Sequence, residues 1–71
     1  MMLIVVNGDA TDPIAYSESV SSGYRYSNAI SNANNILSLG MGSLEMDDAY
    51  QELLHGRVYW FNEQYCFTAI A

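Results

Sequence analysis

Along the chain the apolar positions first alternate, then recur every three to four residues, then alternate again. This predicts strands at both ends with helices between them. Met2 to Val6 is a continuous apolar run of strand length, rich in β-branched residues and closed by Asn7-Gly8, which tolerate positive φ. Asp9 to Pro13 carries turn chemistry. Ile14, Tyr16 and Val20 then recur at even spacing with Ser17, Ser19 and Ser21 opposite them, so a second strand is expected to pair with the first.

After Gly23 the period lengthens. Ser27 is placed to cap a helix in which Ala29, Ile30, Ala33, Ile36 and Leu37 form one face, with Gly40 as its left-handed stop. Ser27, Ser31, Asn34 and Ser38 make a neutral polar stripe on its other side. Asn and Ser are mediocre helix formers because their side chains compete for the backbone, so packing must hold this segment. Ser43 is placed to cap a second helix, Leu44 to His55, with Met46, Ala49, Tyr50, Leu53 and Leu54 as its apolar face and Gly56 as its end. Its early acids suit the positive N-terminus and His55 suits the negative C-terminus. Arg57 to Phe61, a turn at Asn62-Glu63-Gln64 and Tyr65 to Ile70 then read as a hairpin. The fold class is therefore α+β over a single domain, residues 1–71: an antiparallel sheet of N-terminal strands plus the C-terminal hairpin, packed on two consecutive helices.

Both faces of that hairpin are apolar, with Val58 and Trp60 on one and Tyr59 and Phe61 on the other. One helix layer covers only one face. The other is expected either to meet a partner, with Tyr59 and Phe61 as contacts, or to lie under the stretch from Gly8 to Gly23. Composition sharpens the point. Hydrophobic residues make up 51% of the chain and charged residues 14%, against averages of roughly 45–50% and about 25% in soluble domains. A chain of 71 residues buries only about 60% of the surface exposed by its unfolded form, so apolar groups must appear outside. Neutral surface is supplied by eight Ser and six Asn.

Charge narrows the partner. Eight acids against Arg25 and Arg57 leave a net charge of −6 without a lysine, which disfavours direct binding of nucleic acid. Glu45, Asp48 and Glu52 share the outer side of helix two and would steer the protein towards a basic surface. Tyr24, Arg25 and Tyr26, in the loop before helix one, have the composition of an interface hot spot. They are the other candidate contacts.

Catalytic and metal chemistry find little support. Cys66 and His55 are the only residues for a thiolate–imidazole pair, and no nucleophile signature surrounds the cysteine. Glu52 and His55 have the i, i+3 spacing of di-iron bundles, which need a second such pair. The run Asn7 to Asp12 lacks the spaced ligands and terminal Glu of a calcium loop. Gly40-Met41-Gly42-Ser43 precedes a helix without a phosphate-binding Lys and is followed by acids that repel anions. No catalytic residue, metal or cofactor is expected. A single cysteine permits no internal disulfide, and the apolar N-terminus lacks a preceding basic residue and is cut short at Asn7-Gly8-Asp9. These features, with no Asn-x-Ser/Thr site, favour an intracellular protein that neither enters nor spans a membrane.

Size, acidity and lack of machinery over the whole chain resemble the small phage-encoded inhibitors of host defence, of which anti-CRISPR proteins are the example; no motif carries the likeness. The resemblance implies a non-enzymatic protein acting in the host cytoplasm. Such a protein blocks a basic, nucleic-acid-binding surface of a larger effector, such as a CRISPR effector complex. Eight acids are too sparse to imitate the phosphates of a duplex along its length, so a local acidic rim around an aromatic centre is the expectation. A structural or accessory homodimer, an antitoxin or immunity protein, and a thiol or metal enzyme are the rivals.

Overall fold

The computed structural model describes residues 2–7, 14–21 and 25–70. The element order is β1 (Met2–Asn7), β2 (Tyr16–Val20), α1 (Tyr26–Leu37), α2 (Ser43–Leu54), β3 (Tyr59–Trp60) and β4 (Cys66–Ile70). This is the α+β arrangement that the change of period predicts. The expected turns at Gly8, at Asp9 to Pro13 and at Gly23 lie outside the described residues.

Among the described residues the sheet has four strands in the order β2-β1-β4-β3, all neighbours antiparallel. The first and last strands therefore pair at its centre, with Leu3 opposite Ile70 and Val6 opposite Phe67. β2 and β3 become opposite edges. The described part of the 8–23 stretch extends the sheet as β2 rather than covering the hairpin, because pairing β1 satisfies its backbone hydrogen bonds.

Both helices pack on the face that carries Phe67. The core gathers Val20 from β2, Tyr26, Ala29, Ile30 and Ala33 from α1, Met41 from the interhelix loop, Ala49 and Leu53 from α2, and Phe67 from β4. Tyr59 meets Phe67 edge to face, with ring centroids 6.0 Å apart and planes at 67°, a favoured aromatic geometry.

Helix boundaries depart from the sequence expectation in ways the backbone explains. α1 starts at Tyr26 with Arg25 in the N-cap position and no side-chain cap, so Ser27 lies inside the helix and caps nothing. Ser38, not Gly40, takes the left-handed stop, at φ 55° and ψ 48°, and Leu39 donates its N–H back to Asn34 O at 3.1 Å. Gly40 is also left-handed, at φ 70°, but one step further into the loop. Ile36 is 65% exposed rather than buried. It lies about 70° around the helix from the centre of the Tyr26, Ala29, Ile30, Ala33 stripe, at about 100° per residue, and in the last turn of α1, so the same angular sector that buries Ala29 is open there. Tyr26 takes the core place that the sequence pattern assigns to it.

In α2 the N-cap is Gly42 and Ser43 is the first helical residue. Glu45 reaches back, its Oε1 accepting the Gly42 N–H at 3.1 Å, which is the acidic half of a capping box. The helix ends in a Schellman motif: Gly56, at φ 74°, donates to Leu53 O at 3.1 Å, and Arg57 donates to Glu52 O at 2.8 Å. Leu54, expected on the apolar face, is exposed. No helix among the described residues is long and apolar enough to cross a membrane.

Candidate functional site

The edge at β3 is where exposed apolar groups and acids come together. The strand is short for local reasons. Its approach is fixed by the end of α2, where the Arg57 N–H is committed to the Glu52 carbonyl. Its exit is fixed by Asn62, whose Oδ1 accepts the N–H groups of Gln64 and Tyr65, each at 2.8 Å. Between these two clamps only Tyr59 and Trp60 join the ladder, facing Phe67 and Cys66.

Strand alternation then sorts the side chains. Tyr59, Phe61 and Tyr65 turn to the helix side and pack partly buried against the core. Val58 and Trp60 turn outward and are 46% and 63% exposed; Ile70, at the far end of β4, is 50% exposed. The uncovered face of the hairpin therefore carries Val58 and Trp60, not Tyr59 and Phe61, which corrects the expected contact pair. The physical reason is the register: Tyr59 opposite Phe67 must share its face, and Phe67 is fully buried beneath the helices. Cys66, opposite Trp60 and so on the same outer face, is buried, which leaves that face open at Val58, Trp60 and Ile70 but covered at Cys66.

α2 supplies the acids beside this edge. Glu45, Asp48 and Glu52 occupy one flank of the helix, at three-to-four spacing, on the side towards β3. Burial, and after it the charges of Glu45 and Asp48, push the Tyr59 phenol above its usual range. Those two carboxylates therefore lie near Tyr59 on the helix side of β3. Glu52 is already engaged: Arg57 Nε lies 2.8 Å from its Oε2 and Nη2 3.3 Å from its Oε1. The Arg57 bond holds the Glu52 carboxyl below the usual carboxylate range, and Glu52 in turn raises Arg57. One of the three expected acids is thus partly neutralised within the chain, leaving Glu45 and Asp48 as the stronger attractors.

The other expected contacts lie elsewhere. Tyr24 is outside the described residues. Tyr26 is 3% exposed and belongs to the core, so it is not available at the surface; the helix starts two residues earlier than a Ser27 cap allows, and that places its ring under α1. Arg25 is exposed and lines a cleft of about 490 Å³ with Glu18, Ser19, Val20, Ser21 and Asn28, at the β2 edge. Because β2 and β3 are opposite edges, Arg25 and the acidic flank of α2 do not form one surface. A second cleft of about 490 Å³ runs between the helices, where Ser27 and Ser31 of the neutral stripe face Ser43, Met46, Asp47 and Tyr50.

At the β2 edge the Tyr16 hydroxyl donates to Glu18 Oε1 at 2.5 Å, and Asn32 Nδ2 donates to the same oxygen at 2.8 Å. Burial, then the hydrogen bond to Glu18 and its charge, raise the Tyr16 phenol to about 12. The pair ties α1 to the sheet edge. Among the described residues no group of three His, Cys, Asp or Glu side chains is placed to hold a metal ion. His55 lies exposed at the end of α2 with Nδ1 2.8 Å from Gln51 O.

Trp60 is the large exposed apolar residue that sequence reasoning did not single out. Its signal was present in the strand alternation, but which of two apolar faces is covered depends on the helices. Comparison with protein-family models, with curated proteins and with solved structures gave no match in any of the three.

Proposed function

We propose that this chain is a non-catalytic docking protein that covers a basic surface of a larger protein, using the β3 edge and the outer face beside it. The observation that carries the reading is the β3 edge itself, where exposed Val58 and Trp60 lie on the outer face while α2, with its acidic flank, packs on the helix side of the same strand. Tryptophan in an exposed apolar setting is the type of residue that dominates binding energy, and surrounding charges chiefly set association rate. In this division Trp60 fills a pocket while Glu45 and Asp48 meet Lys or Arg at the rim. A basic surface of that kind is one that nucleic acid also uses, so the protein acts as a competitive inhibitor, as the resemblance to anti-CRISPR proteins implies.

Pairing of the same face with a second copy is the competing use. Net charge weighs against it, since two chains of −6 repel at close approach.

The test is parallel capture from a bacterial extract on immobilised wild type, Trp60→Ser and the double variant Glu45→Gln, Asp48→Asn. Wild type is expected to retain a basic protein that high salt releases and that added nucleic acid displaces. Trp60→Ser is expected to lose it, and the double variant to retain less of it at low salt. Equal retention by all three baits overturns the reading.

A further inference from the structure

The hydrogen-bond pattern of the hairpin says more than its side chains do. Phe61 donates its N–H to Tyr65 O at 3.1 Å, which sets 61 and 65 at a hydrogen-bonding position of the ladder, although the Tyr65 N–H turns to Asn62 Oδ1 instead. Antiparallel pairs alternate between bonded and non-bonded, so Tyr59 and Phe67 form the next bonded pair and Trp60 and Cys66 a non-bonded one. The N–H and C=O of Trp60, and by the same alternation those of Val58, therefore point away from β4. Among the described residues β3 is the last strand of the sheet, and the sheet gives these groups no partner.

An open strand edge is a template for another strand, and proteins normally guard it with lysine, proline or inward charge. Val58, Tyr59 and Trp60 carry none of these. The guard here is shortness. Arg57 is consumed by the α2 cap and Asn62 closes the turn, so only a brief segment can be matched. Such an edge is too short to pair strongly with any chance strand, and what flanks it decides what adds.

The flanks differ by face. A residue of an added strand on the helix side lies beside Tyr59, on the face where α2 packs against β3 with Glu45, Asp48 and Glu52 along one flank and Glu52 2.8 Å from Arg57 at the entry to the strand. A residue on the outer side lies beside Val58 and Trp60, both exposed and apolar. We infer that the β3 edge binds an extended segment of a protein partner as an added strand, one that alternates Lys or Arg with apolar residues. Backbone hydrogen bonds supply the alignment, and the alternation supplies the selection. A second copy of this chain does not meet the requirement, because edge-to-edge pairing sets one acidic flank against the other.

This inference rests on the docking reading above and deepens it, and its test is independent of the capture experiment. The probe is an end-capped heptapeptide of alternating Lys and Val, added to the full ¹⁵N-labelled chain. Two control peptides are a block peptide of the same composition and the alternating peptide N-methylated at every second amide. The readout is amide hydrogen exchange at Val58 and Trp60. At saturation the alternating peptide is expected to slow both by about tenfold or more. The controls are expected not to, and Glu45→Gln with Asp48→Asn is expected to weaken the peptide about five- to tenfold at low salt. Equal protection by the block or N-methylated peptide overturns strand addition in favour of simple charge attraction. Binding that leaves both amides exchanging at their original rates also overturns it, as does no binding at millimolar peptide. In each of those cases a Trp60-dependent capture still upholds the docking reading, and its absence removes that reading as well.

Discussion

Single residues set the joints of this fold. Ser38 holds a left-handed conformation that an L side chain adopts at a cost, at the end of α1. Ser38→Gly is therefore expected to raise stability by about 0.5–1 kcal/mol in urea unfolding. Gly56 is the opposite case. Its φ of 74° serves the Schellman turn, and although a Cβ there would meet open space, the backbone angle alone strains any other residue. Gly56→Ala is expected to cost about 1 kcal/mol by the same measurement. Tyr16 gives a pH signature. Its phenol is raised to about 12 in the folded chain from 10.0, so above about pH 10 the unfolded state binds fewer protons than the folded one. This contribution is full below pH 10 and is lost as pH rises from 10 to 12. Ultraviolet titration should show a late tyrosinate step that Tyr16→Phe removes, together with a shallower fall in stability over that window. Tyr59, raised as well, adds in the same direction, so the fall does not vanish.

Elements were legible in kind and less so in extent. Both helices and the four strands follow from the change in period, but each boundary answered to a neighbour. A Ser at 27 and a Gly at 40 are good end signals in isolation. The helix instead runs from the residue whose ring reaches the core to the turn that Asn34 can close. Asn34 is central to that turn: its carbonyl accepts Leu39 N–H at 3.1 Å and its side-chain Oδ1 accepts Met41 N–H at 2.9 Å, where Met41 is buried. Asn34→Ala leaves a half-buried amide unmatched and is expected to cost about 1–3 kcal/mol, read as a shifted urea midpoint at unchanged slope. β3 shrank because its first residue already belonged to the cap of α2. The Arg57–Glu52 contact that accompanies that cap is exposed and screened, so its effect is on geometry more than on stability.

For the molecule as a whole, the two layers divide the aromatic residues into those that hold the fold and those left for other molecules. Phe67 and Trp60 stand on adjacent strands, yet the first is fully buried and the second mostly exposed. Phe67→Ala is expected to cost about 3–5 kcal/mol, enough to unfold most of a domain this small at room temperature. Trp60→Ser is expected to change stability by less than about 0.5 kcal/mol, because it removes a surface side chain. Circular dichroism melts of the two variants check this contrast. If Trp60→Ser melts as Phe67→Ala does, the outer face is part of the core and the docking surface is lost.

The sequence by itself determined the α+β class, the order of elements, the acidic flank of α2 and the excess of apolar groups, since all of these are local or compositional. Only tertiary structure decided that Tyr26 is core, that Arg25 lies on the edge opposite the acids, and that Trp60 rather than Tyr59 faces outward. The reason lies in the pairing of the two chain ends. Once β1 lies beside β4, Phe67 is held under the helices, and the alternation of the hairpin turns Trp60 outward; no window of neighbouring residues contains that information.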